Sequence, residues 1–259
     1  MTADPTATHA APPENRPTVI SNLRDAWRTV APRRDDPHGP LPALLLLLTI
    51  VTGLVDAFSY LQLGRVFVAN MTGNVVFLSF SLGGAAGFIW WASLLAVFTF
   101  LAGALLGGRI AHTWGGHRGR HLLIAAAVQT VITFVAFLVA ESRPAPYDDA
   151  TLVGLIVLLG IAMGLQNATA RALAVPDMTT TVLTLTITGI SADSSAAGGS
   201  GSRIGRRLVA IAGMFLGGLS GALLVHAGEG PETLLVASAL LLITTGIAAS
   251  TARTTAKWA

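Results

Sequence analysis

The chain has no cysteine. That excludes disulfides, thiolate metal sites, iron–sulfur clusters and cysteine nucleophiles. Charge is also scarce. Asp, Glu, Lys and Arg make up 11% of the 259 residues, against roughly 25% in a soluble domain. So little polar surface cannot cover a water-soluble globule, and lipid is the expected solvent. Lysine is almost missing, since all but one of the 16 basic residues are arginine. The high pI of about 10.2 therefore reflects arginine at a net charge of only +3. No dense basic stripe with interleaved aromatics exists, so no nucleic-acid partner is expected. His112, His117 and His121 have no carboxylate near them in sequence and read as a solvated loop. Neither a metal nor a cofactor is expected.

What the chain does have is apolar length, with 53% hydrophobic residues. Six runs, 41–63, 88–108, 121–140, 151–170, 204–227 and 233–250, each reach roughly the 17–25 residues needed to cross a bilayer as a helix. Two further segments are interrupted. Segment 66–84 carries Asn70, Thr72, Gly73 and Asn74, and segment 178–190 is short and threonine-rich. The expected fold is all-α: a polytopic membrane helix bundle of about six full spans plus two partial or re-entrant helices. Residues 1–40 are polar and read as a mostly disordered cytoplasmic tail with a short helix near 19–30 and no secretory signal. The transmembrane domain covers 41–250, and 251–259 form a C-terminal tail.

Charge placement supports six spans. With the amino terminus inside, fourteen of the basic residues fall inside and only Arg65 and Arg143 outside. If both interrupted segments crossed, the split would be eleven to five. The positive-inside rule prefers the first arrangement, with the N-terminus cytoplasmic in an inner cell membrane.

The chain also repeats itself. Gly53-Leu54-Val55-Asp56-Ala57 matches Gly164-Leu165-Gln166-Asn167-Ala168. Asn70-Met71-Thr72-Gly73-Asn74-Val75 matches Asp177-Met178-Thr179-Thr180-Thr181-Val182, and Phe100-Leu101-Ala102-Gly103 matches Phe215-Leu216-Gly217-Gly218. Two repeated halves, about 41–140 and 151–250, are expected. Three full spans per half is an odd number, so the second half would be inverted relative to the first.

The polar residues of these motifs are the candidate site: Asp56, Asn70, Thr72, Asn74, Gln166, Asn167, Asp177, Thr179, Thr180 and Thr181. Asp56 is the only acid within an expected full span. It lies about 6 Å past the centre of segment 41–63 at 1.5 Å per residue. It reads either as a proton or cation site or as a structural carboxylate bonded to a neighbouring helix. Asn167 keeps the hydrogen bonding without the ionisation. Asn70 and Asp177 suit helix N-caps, so each second cluster could start a half-helix aimed at a polar or anionic group. The alternative is that they only satisfy the backbone where a helix breaks. Arg65 and Arg171 read as snorkelling side chains, and Tyr60, Trp90, Trp91 and Trp114 as interface anchors. Gly218-Leu219-Ser220-Gly221 is similar to an intramembrane serine-protease motif, but His226 follows on the same helix, so no catalytic residue is assigned.

The run from Thr52 to Tyr60 followed by Phe67 to Asn74 resembles the first signature of the YoaK-like bacterial integral membrane proteins. Residues 164–168 with 175–182 resemble the second. The resemblance covers about 41–250. It implies a membrane domain and brings no substrate, cofactor or catalytic residue. The favoured function is secondary transport of a small polar or anionic solute, with protons coupled through Asp56. The first alternative is a non-catalytic membrane protein that binds a lipid or a protein partner, and the least favoured is an intramembrane enzyme, for which no nucleophile–base pair is visible. No oligomeric state follows from the sequence.

A cysteine-free chain suits single-cysteine topology mapping. Ala145→Cys is expected to react with a membrane-impermeant thiol reagent from outside. His117→Cys and Gly199→Cys should react only from inside. Labelling of position 117 from outside would instead require eight spans.

Overall fold

The computed structural model of the chain describes residues 19–32, 36–181, 183–194, 197–199, 203–256 and 258. Among them the chain forms nine helices and no strand. Six are long and apolar enough to cross a bilayer: α2 (Leu41–Gln62), α4 (Trp90–Trp114), α5 (Arg118–Glu141), α6 (Asp149–Leu173), α8 (Ile204–His226) and α9 (Gly230–Thr251). Three are shorter: α1 (Val19–Val30), α3 (Met71–Leu82) and α7 (Leu183–Ala192). With 12 and 10 residues, α3 and α7 reach only about 18 and 15 Å, roughly half a bilayer core. The all-helical polytopic bundle read from the sequence is therefore the observed fold. Much of residues 1–40, read as a tail, lies outside the described residues.

Local signals explain where the helices start. Asp148 caps α6, its Oδ1 accepting from the Thr151 amide at 3.0 Å. That bond, first with the Thr151 side chain and then with its amide, holds the carboxyl below its ordinary value. His117 caps α5 by accepting from the Arg120 amide at 3.3 Å. His121, read as part of a solvated loop, is instead buried inside α5.

Packing is paired. The two central helices are α2 and α6, the most buried of the six. Helix α4 lies along α6, and α8 lies along α2. Helix α5 also touches α6, α9 also touches α2, and α5 and α9 meet each other. Among the described helices, α3 packs on α4 alone and α7 on α8 alone. Setting α1 aside, exchanging the first four helices after it for the last four leaves this pattern unchanged.

The two long crossings are built on glycine. A Cβ on Gly103 would collide with the Ile161 carbonyl, and one on Gly164 with the Phe100 carbonyl. In the other crossing, Gly217 meets the Ile50 carbonyl and Gly53 the Met214 carbonyl. Backbones this close gain dispersion contacts, which drive helix association in lipid where hydrophobicity does not.

The two ends of the bundle differ in charge. At one end Arg118 donates to the carbonyls of Leu173 and Trp258, and Arg120 to that of Ala252 at 3.3 Å. Burial, with Arg118 and Arg206 adding, holds His38 at this end below its ordinary pKa. At the other end Glu141 ends α5, Asp148 and Glu229 occupy the N-cap positions of α6 and α9, and Asp149 and Glu232 lie in their first turns, with Arg65 and Arg143 the bases in the adjoining loops. There burial, with Glu141 and Glu232 adding, pushes the Tyr147 hydroxyl up to about 12. Helix α1 packs on α8 at the arginine-rich end, where a Cβ on Gly205 would collide with the Asn22 carbonyl. Its exposed stripe of Ile20, Leu23, Trp27 and Val30, beside Arg24 and Arg28, fits a helix lying in the headgroup layer.

The crossings make a matched prediction. Gly53→Leu and Gly164→Leu should each lower the thermal midpoint in detergent by roughly 5–10 °C, because overpacking costs about 1–3 kcal/mol or more. Gly246→Ala, where a Cβ meets nothing within 4 Å, should leave the midpoint unchanged. Equal melting of all three would rule out backbone contact at the crossings.

Candidate functional site

After α2 the chain reverses through Gly64 and Arg65, both at positive φ (79° and 59°). It returns toward the level of Asp56 before starting α3. Irregular backbone at membrane depth needs partners from the protein. Asp56 Oδ1 supplies one set, accepting from the amides of Val68 at 3.2 Å and Ala69 at 2.9 Å. Asn74 supplies another, accepting from the Phe67 amide at 2.9 Å and donating to the Phe67 carbonyl at 2.5 Å. Asn70 caps α3, its side chain accepting from the Gly73 amide at 3.5 Å. No described hydrogen bond engages Asp56 Oδ2, and the residue is only half-buried.

The second half reverses after α6 in the same place but by other means. Asn167 accepts from the Thr181 hydroxyl at 2.5 Å and donates to the Met163 carbonyl at 3.1 Å. Ala174, Asp177 and Thr180 all take left-handed backbone conformations, with φ of 48°, 62° and 60°. Three non-glycine residues in that region within one loop is strained geometry. Asp177 does not cap a helix, contrary to expectation. Its carboxylate pairs with Arg207 at 2.9 Å, and α7 begins only at Leu183. Arg207 also holds Asp193 at 2.7 Å, so one guanidinium clasps both ends of the second reversal. In the first reversal Arg65 lies over an aromatic ring instead, its guanidinium carbon 5.7 Å from the centre of the Phe88 ring.

Two cavities sit at these reversals. The first, of about 870 Å³, is lined by Asp56, Asn70, Thr72, Asn167 and Thr181 of the candidate set. The second, of about 820 Å³, is lined by Asn167, Arg171 and Thr179. Phe100 and Asn167 line both. The cavities are built alike. The first lies where Met214, Gly218 and Ala222 of α8 face Asp56, Ala57 and Tyr60 of α2. The second lies where Phe100, Ala104 and Gly108 of α4 face Asn167, Ala168 and Arg171 of α6. The first extends to the last turn of α2 at the acidic end. The second extends to the last turns of α4 and α6 at the arginine-rich end.

Four candidates lie elsewhere. Gln166 is buried beside α2 and α5, donating to the Leu48 carbonyl at 3.2 Å and to Thr52 Oγ1 at 2.8 Å, and accepting from Gln129 at 2.7 Å. It joins helices. Asn74 only clamps the first reversal, Asp177 belongs to the Arg207 clasp, and Thr180 is buried with no described partner for its hydroxyl. The sequence reading missed the aromatic wall. Tyr60, read as an interface anchor, lines the first cavity and stacks on Phe67 at 4.9 Å, and Phe67 stacks on Phe77 at 5.7 Å. The available signal was spacing, because Tyr60 is one turn past Asp56 on the same helix face. Among the described residues no group of three or more His, Asp or Glu could hold a metal.

Comparison with known proteins agrees with the resemblance drawn from the paired motifs. A family profile described as a protein of unknown function, DUF1275, matches residues 44–247. The UPF0700 transmembrane protein YoaK of Bacillus subtilis (strain 168) is 32% identical over 154 residues. That alignment spans 59% of this chain and 66% of the relative, just under two thirds of its length. No solved structure matches the chain.

Structural and cavity-lining asparagines should separate on mutation. Asn74→Ala strands the Phe67 amide and carbonyl and should cost about 1–3 kcal/mol. Asn70→Ala removes one long cap bond and should cost no more than about 1 kcal/mol. Thermal unfolding of the two purified variants measures the difference, and the reverse order would contradict these roles.

Proposed function

We propose, from the premise that the chain belongs to the DUF1275 family of transmembrane proteins, that it is a secondary transporter of a small polar solute. One observation supports this. Two similarly built cavities reach toward opposite ends of the bundle and meet at Phe100 and Asn167. A solute that passed that wall would move from one cavity to the other. The halves are then inverted repeats, each contributing three spans and one reversal, and the cavities are related by the same exchange as the helices. The arginine-rich end is the cytoplasmic one on the positive-inside rule, in an inner cell membrane. Asp56 is the single ionisable member of the Asp56–Asn167 pair, so proton coupling would act there.

A specific observation favours the second reading, a non-catalytic protein that binds a lipid or a protein partner. Asp56 Oδ1 already caps two backbone amides, as a purely structural carboxylate would. Water access separates the two, and the test needs no substrate. Thr72 and Thr179 are exposed residues at matched positions of the two reversals, one lining each cavity.

Thr72→Cys should react with a charged, membrane-impermeant methanethiosulfonate from the face opposite His117. Thr179→Cys should react from the same face as His117. If neither reacts from either face, the cavities are dry and the scaffold reading replaces transport.

A further inference from the structure

The two cavities are built alike but differ in chemistry, and the difference points to a ligand. The first carries Asp56 and no Arg, Lys or His among its described lining residues. At the position in α6 that matches Tyr60, the second carries Arg171. Asp56 Oδ1 is held by two amides while Oδ2 has no described partner. A carboxylate with one free oxygen beside apolar walls attracts a cation, because little water competes for it. The walls are specific too. Tyr60, Phe67 and Phe77 form a continuous aromatic ladder, with centroids 4.9 and 5.7 Å apart. It adjoins the carboxylate through covalent structure, since Phe67 precedes the Val68 amide that Asp56 holds. Aromatic faces attract ammonium groups through the negative face of the ring, and a flat or apolar ligand body packs on them too. The surroundings agree, because the first cavity extends toward the acidic end of the bundle, whose field concentrates cations.

We propose that the first cavity binds an organic cation. Its amine or quaternary ammonium lies at Asp56 and its apolar body lies against Tyr60, Phe67 and Phe77. At about 870 Å³ the cavity exceeds what a bare metal ion needs and is in the range of drug-sized ligands. The inference rests on the transport reading only for the fate of the bound cation, and not for binding itself. It narrows the expected solute by disfavouring an anion at this cavity. Among the described lining residues, the only basic side chain in either cavity is Arg171, in the other one.

Equilibrium binding decides it. The full chain is placed in nanodiscs and titrated calorimetrically with benzyltrimethylammonium, benzyl alcohol or benzoate at pH 8, with empty nanodiscs as the blank. The cation should bind at least about ten-fold more tightly than either comparison compound. Asp56→Asn keeps the size and the acceptor for both amides, and should weaken the cation about ten-fold or more while benzyl alcohol is unchanged. Asp56→Glu should restore part of the loss. Tyr60→Leu and Phe77→Leu keep the carboxylate and should each weaken the cation by about three-fold or more, in proteins whose melting is checked in parallel. No saturable cation binding above the blank, equal binding by Asp56→Asn, or preference for benzoate would each overturn the proposal. The transport reading stands or falls separately. A cation that binds while both cysteine probes stay unlabelled refutes transport and leaves the cation site. Opposite-face labelling without cation binding refutes the cation and leaves transport of another solute.

Discussion

Everything at the centre of this molecule is placed by two helix crossings in which backbone meets backbone. Gly53 and Gly217 seat α2 against α8, and Gly164 and Gly103 seat α6 against α4. The residue three places after each first-motif glycine is Asp56 in α2 and Asn167 in α6. Three residues return a helix to nearly the same face. The glycine that brings two backbones together thus also aims the polar side chain along the crossing. There the small residues of the partner helix, Gly218 and Ala222 in one case and Ala104 and Gly108 in the other, leave a cavity rather than a packed core. Site and fold are not separable here, because moving the crossing by one side chain's width would reshape the cavity that it frames.

The reversals meet a second constraint, the ban on unpaired backbone groups in hydrocarbon. The two halves meet it differently. A carboxylate oxygen has two lone pairs, and Asp56 uses one oxygen for two amides, leaving the other available. A carboxamide has one acceptor and one donor group, and both are engaged in Asn167, with Thr181 and with Met163. The clasps differ as well. Arg207 holds Asp177 and Asp193 by charge, whereas Arg65 lies over the Phe88 ring. A matched packing pattern with unlike polar contacts leaves two cavities of unlike chemistry.

The spans and the short helices were legible in the sequence because hydrocarbon thickness fixes how long an apolar run must be, and six runs met that length. The Asp56–Asn167 pairing was legible for a related reason: polar residues are rare in such runs, so a repeated one stands out. What the sequence concealed depended on partners far along the chain. Asp177 looks like an N-cap until Arg207 is known to reach it. Gln166 looks like a site residue until Thr52 and Gln129 are seen to surround it. Tyr60 looks like an interface anchor because span-end position is a local property, whereas stacking on Phe67 depends on a reversal that composition does not announce. His121 misleads in the same way, since the arginines before it suggest a solvated loop while its place in α5 is buried.

The difference between the cavities has a physical consequence whichever solute is involved. Among the described lining residues Asp56, on the acidic side of the shared wall, is the only acid of either cavity, and Arg171, on the arginine-rich side, is the only base. The bundle ends carry the same signs outside their cavities. A positive group on a bound molecule would therefore be favoured in the first cavity and disfavoured in the second, and a negative group the reverse. Two equal half-sites would let a solute rest in either. On the transport reading, the two cavities would impose a direction of preference that the solute itself could not remove. Only a change in the charge at Asp56 would level it. A proton delivered to that carboxylate removes the attraction for a cation while Oδ1 can still accept from Val68 and Ala69. The same group can therefore keep the first reversal in place and alter what the cavity holds. One residue thus fits both a structural and a coupling role, whereas Asn167, which does not ionise, fits only the first.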